Sequence, residues 1–562
     1  MTETIRTPEQ DRARAQNAAA ESRLNKPITT GFLLRFTIPT IISFVIMGIF
    51  GIIDGVFAAR GISQEALGAI NFVMPFFTFT MAIGSMLSMG GSALVAKKKG
   101  GNLEREAREN FTLLTLLTFG TSVILSVTSW FFREPLLRML GTDVGVFDMA
   151  LAYLEPLILM MPFIMVGLLL VQFLIAEGRP ILGMIASTSG VIASTALNAT
   201  FILVLDLGVR GLALATGIGY AIPAVLGVAY FAFNRKGTIY FVRPKMDIKA
   251  LGRSSINGIS EAITMMATTV TTVVMNNVLV RIVGWEGVAA AGIVLAAQGI
   301  FASLFFGYSA GIAPVVSYNF GERKRDGAEL ETGTDRRDNL NKLYKKSLLI
   351  VAVLSAIALL GTLASAGLLV RVYVSPNDPF MGHLYDMAVR GLRIAAISYM
   401  LMGFNMFATA WFTAFNDGLV SGIMSLMRTM VFMLVPLITL PRIWDLDGVW
   451  LALPLAEVLT IFVTIFFLIK MGEKYHYRGQ EPRREDMSAQ LWRKLGEQDA
   501  VIEHLEAQLE QVKAKFEAER QVYTAKLAEF RSVLEGYGET QVVPCTRERG
   551  RSPRKVKVTI KG

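Results

Sequence analysis

The chain has 562 residues, 53% of them hydrophobic and only 18% charged, with a mean hydropathy of +0.48. That is too apolar for an ordinary soluble protein of this length. The net charge of +10 does not point to nucleic acid, because the basic residues fall between apolar runs and in the tail rather than on one soluble domain. The single cysteine, Cys545, excludes an intramolecular disulfide and a cysteine-based metal site.

Residues 1–30 are polar, with Arg12, Arg14, Arg23 and Lys26, and do not read as a cleaved signal peptide. A bilayer core of about 30 Å takes about 20 apolar residues per helix. On that measure the candidate spans are 33–58, 66–96, 111–132, 147–173, 181–205, 208–233, 256–282, 288–318, 346–371, 386–415, 419–440 and 448–471. The expected fold is therefore an all-α membrane protein with twelve transmembrane helices. Helices 1–6 form an N-lobe over 31–233, a polar linker occupies 234–255, and helices 7–12 form a C-lobe over 256–475. Prolines inside the spans, such as Pro39, Pro162 and Pro314, are tolerated where neighbouring helices satisfy the freed backbone groups.

One pattern is written twice. Gly90-Gly91-Ser92-Ala93-Leu94-Val95-Ala96, followed by three lysines and Gly100, returns as Gly311-Ile312-Ala313-Pro314-Val315-Val316-Ser317 before Gly321, the glycines keeping one offset of 221. Two related halves around a central path are a transporter's architecture. Lys and Arg concentrate in the N-terminus, 97–110, 234–255 and 320–346, so the positive-inside rule places both termini and the linker in the cytoplasm of a multi-pass protein of the cell (inner) membrane. The stretch 327–341 reads as extra polar loop.

Past residue 475 the sequence becomes charged and helix-favouring. Ile502, Leu505, Leu509, Val512 and Phe516 step by three and four, Glu519 takes a seam position, and Tyr523, Leu527, Phe530 and Leu534 resume. The expectation for 476–562 is a cytoplasmic amphipathic or coiled-coil helix capable of self-association through 502–534. A basic tail beyond Pro544 would touch lipid head groups.

Charge is scarce inside the spans, and polar groups at bilayer depth are where a transporter carries its chemistry. Asp54, toward the outer end of the first helix, can hold a proton or a Na⁺. Asn198 lies at similar depth in the fifth helix and can converge on it. Glu261, near the start of the seventh, is the acid of the second half. Asp148 and Glu155 are read as acids of a water-filled outer vestibule. Asn71, Asn276, Asn277, Gln298, Tyr308, Asn405 and Arg428 are candidate lining of a substrate cavity. Flexible methionines such as Met402, Met406 and Met424 suit a cavity that accepts several shapes.

No metal or enzyme site is expected, since His383, His476 and His504 lie in an outer loop and the tail. No Gly-x-x-x-x-Gly-Lys-Ser/Thr loop occurs, so the expected energy source is an ion gradient, with no cofactor beyond H⁺ or Na⁺.

These stretches resemble the multidrug and toxic compound extrusion (MATE) transporters, bacterial branch. The resemblance rests on Ile53-Asp54-Gly55-Val56-Phe57-Ala58-Ala59-Arg60-Gly61, on Asn257-Gly258-Ile259-Ser260-Glu261-Ala262, on Gly307-Tyr308-Ser309-Ala310-Gly311 through Gly321, and on Leu446-Asp447-Gly448-Val449-Trp450. It implies two six-helix lobes related by a pseudo-two-fold axis, a cavity between them, and export of organic cations or related small molecules against H⁺ or Na⁺. Asp54 then matches the acid of the family's N-lobe cation site. Asn198 stands where the family often has a second acid, and Glu261 matches an acid of this branch's seventh helix. Two other readings remain at this point: a lipid-linked precursor flippase of the same superfamily, and a membrane anchor acting through its coiled-coil tail.

Overall fold

The structure is a computed structural model that describes residues 24, 27–140, 142, 144–235, 237–326, 334–371, 373–374, 382–475, 477 and 484–535. The basic segment beyond Pro544, Cys545, His476, most of the polar N-terminus and residues 327–333 lie outside that set. The chain divides into two compact units, Met1–Gly479 and Gln480–Gly562.

The first unit is built of helices α1 (Thr30–Val56), α2 (Gln64–Gly100), α3 (Glu104–Phe131), α4 (Arg133–Met139), α5 (Phe147–Ala176), α6 (Pro180–Ala199) and α7 (Gly208–Phe233). After the linker come α8 (Ile248–Ile282), α9 (Trp285–Asp326), α10 (Thr334–Arg371), α11 (Gly382–Ala396), α12 (Tyr399–Ala414), α13 (Gly418–Leu426), α14 (Phe432–Thr439) and α15 (Pro441–Tyr475). No strand occurs among the described residues. Among the described residues, eleven helices are long and apolar enough to cross a membrane, or twelve if the bent pair α11–α12 is one span.

Local chemistry sets several starts. The side chains of Thr29, Ser63 and Asp247 accept from the amides of Phe32, Ala66 and Ala250 at 3.1, 3.1 and 2.9 Å, closing the first turns of α1, α2 and α8. Pro180 occupies the first turn of α6, where its missing N–H costs nothing.

Three boundaries differ from the sequence reading. Residues 334–341 are the first turns of α10, and 248–255 belong to α8, so both polar stretches are shorter as loops than their composition suggests. The tenth span bends by 52° between Ala396 and Tyr399. There Ser398 N and Leu401 N bond three residues back, to Ala395 and Ser398, and Ser398 Oγ also binds the Ala395 carbonyl at 2.6 Å. A serine competing for the backbone tightens the turn and bends the helix without any proline or glycine to signal it.

The membrane unit forms two lobes, α1–α7 and α8–α15, and Leu33, Phe36 and Ile41 of α1 share one buried cluster with Tyr308, Trp411 and Phe415 of the C-lobe. In the N-lobe, Phe111 sits among Phe173, Phe231 and Phe241 with ring centroids 4.7–5.0 Å away. In the C-lobe, Trp411, Phe415, Tyr475 and Tyr477 stack together. The repeated glycines serve the contact between lobes. A Cβ on Gly90 of α2 would fall 2.0 Å from the Ser254 carbonyl of α8, and one on Gly258 of α8 would fall 1.9 Å from the Met86 carbonyl of α2. On the other strand of the repeat, a Cβ on Gly311 of α9 would meet Thr40 Oγ1 of α1 at 2.3 Å, and one on Gly321 would meet the Lys97 carbonyl of α2 at 1.9 Å. At Gly90, Gly258 and Gly321 only glycine permits this backbone approach, while Gly311 faces a side-chain hydroxyl. All four contacts lie toward the end of the bundle that carries the linker.

Candidate functional site

Asp54 lies on the last turn of α1, immediately before a π-helical segment, Phe57–Ile62. Asn198 precedes a second π segment, Thr200–Val204, and the two segments meet where Gly61 approaches Ile202. π-bulges re-aim side chains and recur at functional sites. Here Asn198 Nδ2 donates to Asp54 Oδ1 at 2.6 Å, and Thr216 Oγ1 of α7 donates to Asp54 Oδ2 at 3.0 Å. One carboxylate thus ties three helices. Tyr153 and Tyr220 stand within electrostatic reach of it. Asn198 is fully buried, and its own Oδ1 has no hydrogen-bond partner.

A cavity of about 1000 Å³, counting the space open to solvent, reaches Phe50 and Tyr220, each one helical turn from this group, though Asp54, Asn198 and Thr216 do not themselves line it. Its wall comes mostly from α1, α2, α5, α6 and α7, with Met265 of α8 and Phe306 of α9 closing the side toward the other lobe. Met47, Met81, Met89, Phe44 and Phe50 make it apolar and deformable, and Ser43, Ser85, Gln172 and Tyr220 supply the polar points. Tyr220 follows Thr216 by one helical turn, so α7 carries both a donor to Asp54 and a wall of the cavity. Gln172 also donates to the Ala310 carbonyl of α9 at 3.2 Å, across the two lobes.

None of the seven expected lining residues borders this cavity. Tyr308 is completely buried in the C-lobe core beside Phe407. Asn405 and Arg428 belong to a polar network inside the C-lobe. Gln298 and Asn276 are half-buried, and Asn71 and Asn277 exposed, in each case away from the cavity wall. The expected methionines do not line it either. The reason is that helix pairing assigns the faces: the cavity lies within the N-lobe, whereas most of the expected residues sit on C-lobe helices.

The C-lobe network centres on an acid the sequence reading did not single out. Arg428, inside a third π segment, Met427–Val431, grips Glu457 of α15 with Nε and Nη2, the shortest contacts being 2.8 and 3.0 Å. Both side chains are about nine-tenths buried. Asn405 Nδ2 donates to Glu457 Oε2 at 2.7 Å and Thr464 Oγ1 donates to Asn405 Oδ1 at 2.7 Å. Glu261, 6% exposed on α8, has Arg428 within electrostatic reach. The signal for Glu457 was an acid inside an apolar run, as for Asp54. Thr216 carried none, because threonine is ordinary in such helices.

Of the two acids assigned to an outer vestibule, Asp148 is exposed and Glu155 is ion-paired, with Arg133 and Arg210 reaching its carboxylate at 3.2 and 3.6 Å. At the linker end, Glu177 is buried and fully satisfied. It accepts from Thr238 N and Oγ1 and Ile239 N at 2.7, 2.6 and 3.1 Å, and pairs with Lys99 at 3.3 Å. Arg108 holds the same strap through the Thr238 carbonyl and the Tyr240 hydroxyl at 2.8 and 2.9 Å. No group of three or more His, Cys, Asp or Glu suited to a metal occurs among the described residues.

A two-lobed helical membrane body with an apolar cavity one helical turn from a half-buried, hydrogen-bonded carboxylate has the build of a membrane transporter. The chain belongs to the MATE family: the MatE family model matches residues 39–200 and 261–438. It is similar to the multidrug export protein MepA of Staphylococcus haemolyticus, at 24% identity over 445 residues, 79% of this chain and 94% of that protein. Among solved structures, the outward-facing conformation of a multidrug resistance MATE family transporter of the MOP superfamily shares the fold. Its TM-score is 0.72 at 18% identity over 79% of this chain and 96% of that one. A MATE in the straight conformation gives a TM-score of 0.71 at 19% identity, over 79% and 96% of the two chains.

Proposed function

We propose that this chain is a secondary antiporter of the cell (inner) membrane, with both termini cytoplasmic, that exports organic and often cationic small molecules in exchange for H⁺ or Na⁺. The observation that carries the reading is the Asp54–Asn198–Thr216 cluster set one helical turn from Tyr220 of the cavity wall. As a carboxylate, Asp54 accepts from both neighbours. Once protonated it becomes a donor, which the Asn198 amide would accept by turning its unpartnered Oδ1 toward it. A Na⁺ would draw on the same two oxygens. Either event rewires the bonds from α1 to α6 and α7, and α1 also packs on α9 of the other lobe. Ion binding thereby biases the cavity wall and the lobe contact together, which is what exchange requires.

The cavity favours apolar or singly cationic substrates over pyrophosphates, since no Lys or Arg lines it. That weighs against the flippase reading. The test is dye efflux from inverted vesicles under imposed H⁺ or Na⁺ gradients, comparing the wild type with Asp54→Asn. Transport driven by one of the gradients and lost in the variant is expected; equal driven transport in both would overturn the role given to Asp54.

A further inference from the structure

The second unit contains one uninterrupted helix of 52 residues, α16 (Arg484–Glu535). Along it two rows follow a seven-residue spacing: Leu495, Ile502, Leu509, Phe516, Tyr523 and Phe530 are apolar or aromatic throughout, whereas the second, Leu491, Gln498, Leu505, Val512, Glu519, Lys526 and Val533, is polar at three positions. Glu519 and Lys526 put charge into the second row, and Leu527 and Leu534 stand one position beyond it, so the helix continues while the apolar stripe shifts. From Ile502 to Val533 every apolar residue of the two rows is more than half exposed. A helix of this length with an open heptad seam is incomplete by itself.

We propose that α16 pairs with α16 of a second copy of this chain as an antiparallel two-stranded coiled coil of full overlap. The charge pattern selects this occupant and direction. In a parallel in-register pair Glu519 would face Glu519 and Lys526 would face Lys526 in the core, and Lys515 would flank Arg520. The antiparallel pair that overlaps the helices completely sets Leu505 on Phe516, Leu509 on Val512 and Leu491 on Phe530. At its rims Glu506 then meets Lys513, Asp499 meets Arg520 and Lys494 meets Glu529, each twice by symmetry, with no like charges opposed. Glu519 and Lys526 fall opposite Ile502 and Leu495, a cost in stability of the kind that fixes register, and the lysine stem lets its ammonium reach the rim. A lipid surface fits less well, because residues 502–533 carry six acids against five Lys and Arg. The antiparallel pairing holds the two copies' residue 484 about 80 Å apart at 1.5 Å per residue.

The test uses the full-length chain in liposomes with Cys545→Ser as background. Leu491→Cys is placed in one tagged copy and Phe530→Cys in another. Oxidation should give the mixed disulfide and neither homodisulfide, since equal positions lie about 58 Å apart in the antiparallel pair. Homodisulfides would overturn the proposal in favour of a parallel pair. No disulfide, with α16 protected from protease only by anionic vesicles, would overturn it in favour of a membrane surface. Lys513→Glu should reduce the cross-linked fraction about tenfold, and adding Glu506→Lys should restore it, because two rim pairs are reversed and then re-formed. Failure of that rescue would also overturn the register.

Discussion

Arg428 and Glu457 form a bidentate ion pair inside the C-lobe, joining a π segment of the eleventh span to the twelfth span. Breaking a buried pair strands the other charge, at a cost of about 3–5 kcal/mol, whereas replacing both partners by apolar groups is often close to neutral. Glu457→Ala should therefore lower the Tm of the purified protein by several degrees. Arg428→Met combined with Glu457→Leu should recover most of the loss, as thermal unfolding in detergent would report.

Thr216 holds the second oxygen of Asp54. Thr216→Val keeps the shape and removes a charge-assisted hydrogen bond, a type worth about 1.5–3 kcal/mol. Ion-driven dye efflux should fall roughly tenfold, and Thr216→Ser should return most of it. Equal rates for the valine and serine variants would show that the hydroxyl does not matter.

The lobe contact depends on missing side chains. Gly90→Ala would drive a methyl into the Ser254 backbone, while Gly120→Ala meets nothing within 4 Å. Overpacking of about 1–3 kcal/mol should separate α2 from α8. Thiol labelling of Met86→Cys, applied from the linker side, should become about tenfold faster in the Gly90 variant and stay unchanged with Gly120→Ala.

Glu177 accepts from two backbone amides of the linker. In Glu177→Gln the new amide points a donor at other donors, so the strap over 238–240 should open. Hydrogen exchange there should speed up about tenfold or more, while exchange in α5 above the site stays slow.

The spans were legible in the sequence because lipid demands the same thing of each one: about 20 apolar residues with every backbone bond closed internally. The bend at Ser398 was not, because it arises from a serine turning onto the backbone in a stretch otherwise ordinary for a helix. Asp54, Asn198 and Glu261 stood out since a charge or amide at bilayer depth is rare. Glu457, likewise an acid inside an apolar run, carries the same signal. Thr216 offered none.

A duplicated helical membrane body, its family and the acid on the first helix could all be read from the chain, because hydropathy, repeats and a charge inside an apolar run are properties of linear order. The sequence also marked the repeated glycines, though not their purpose. Packing adds that those glycines lie against the facing lobe, that Asn198 and Thr216 close on Asp54, and that a cavity in the N-lobe is lined by none of the residues expected to line one. The physical reason is that a helix's sequence sets which residues share a face, whereas the rotation and pairing of neighbouring helices set which face meets which.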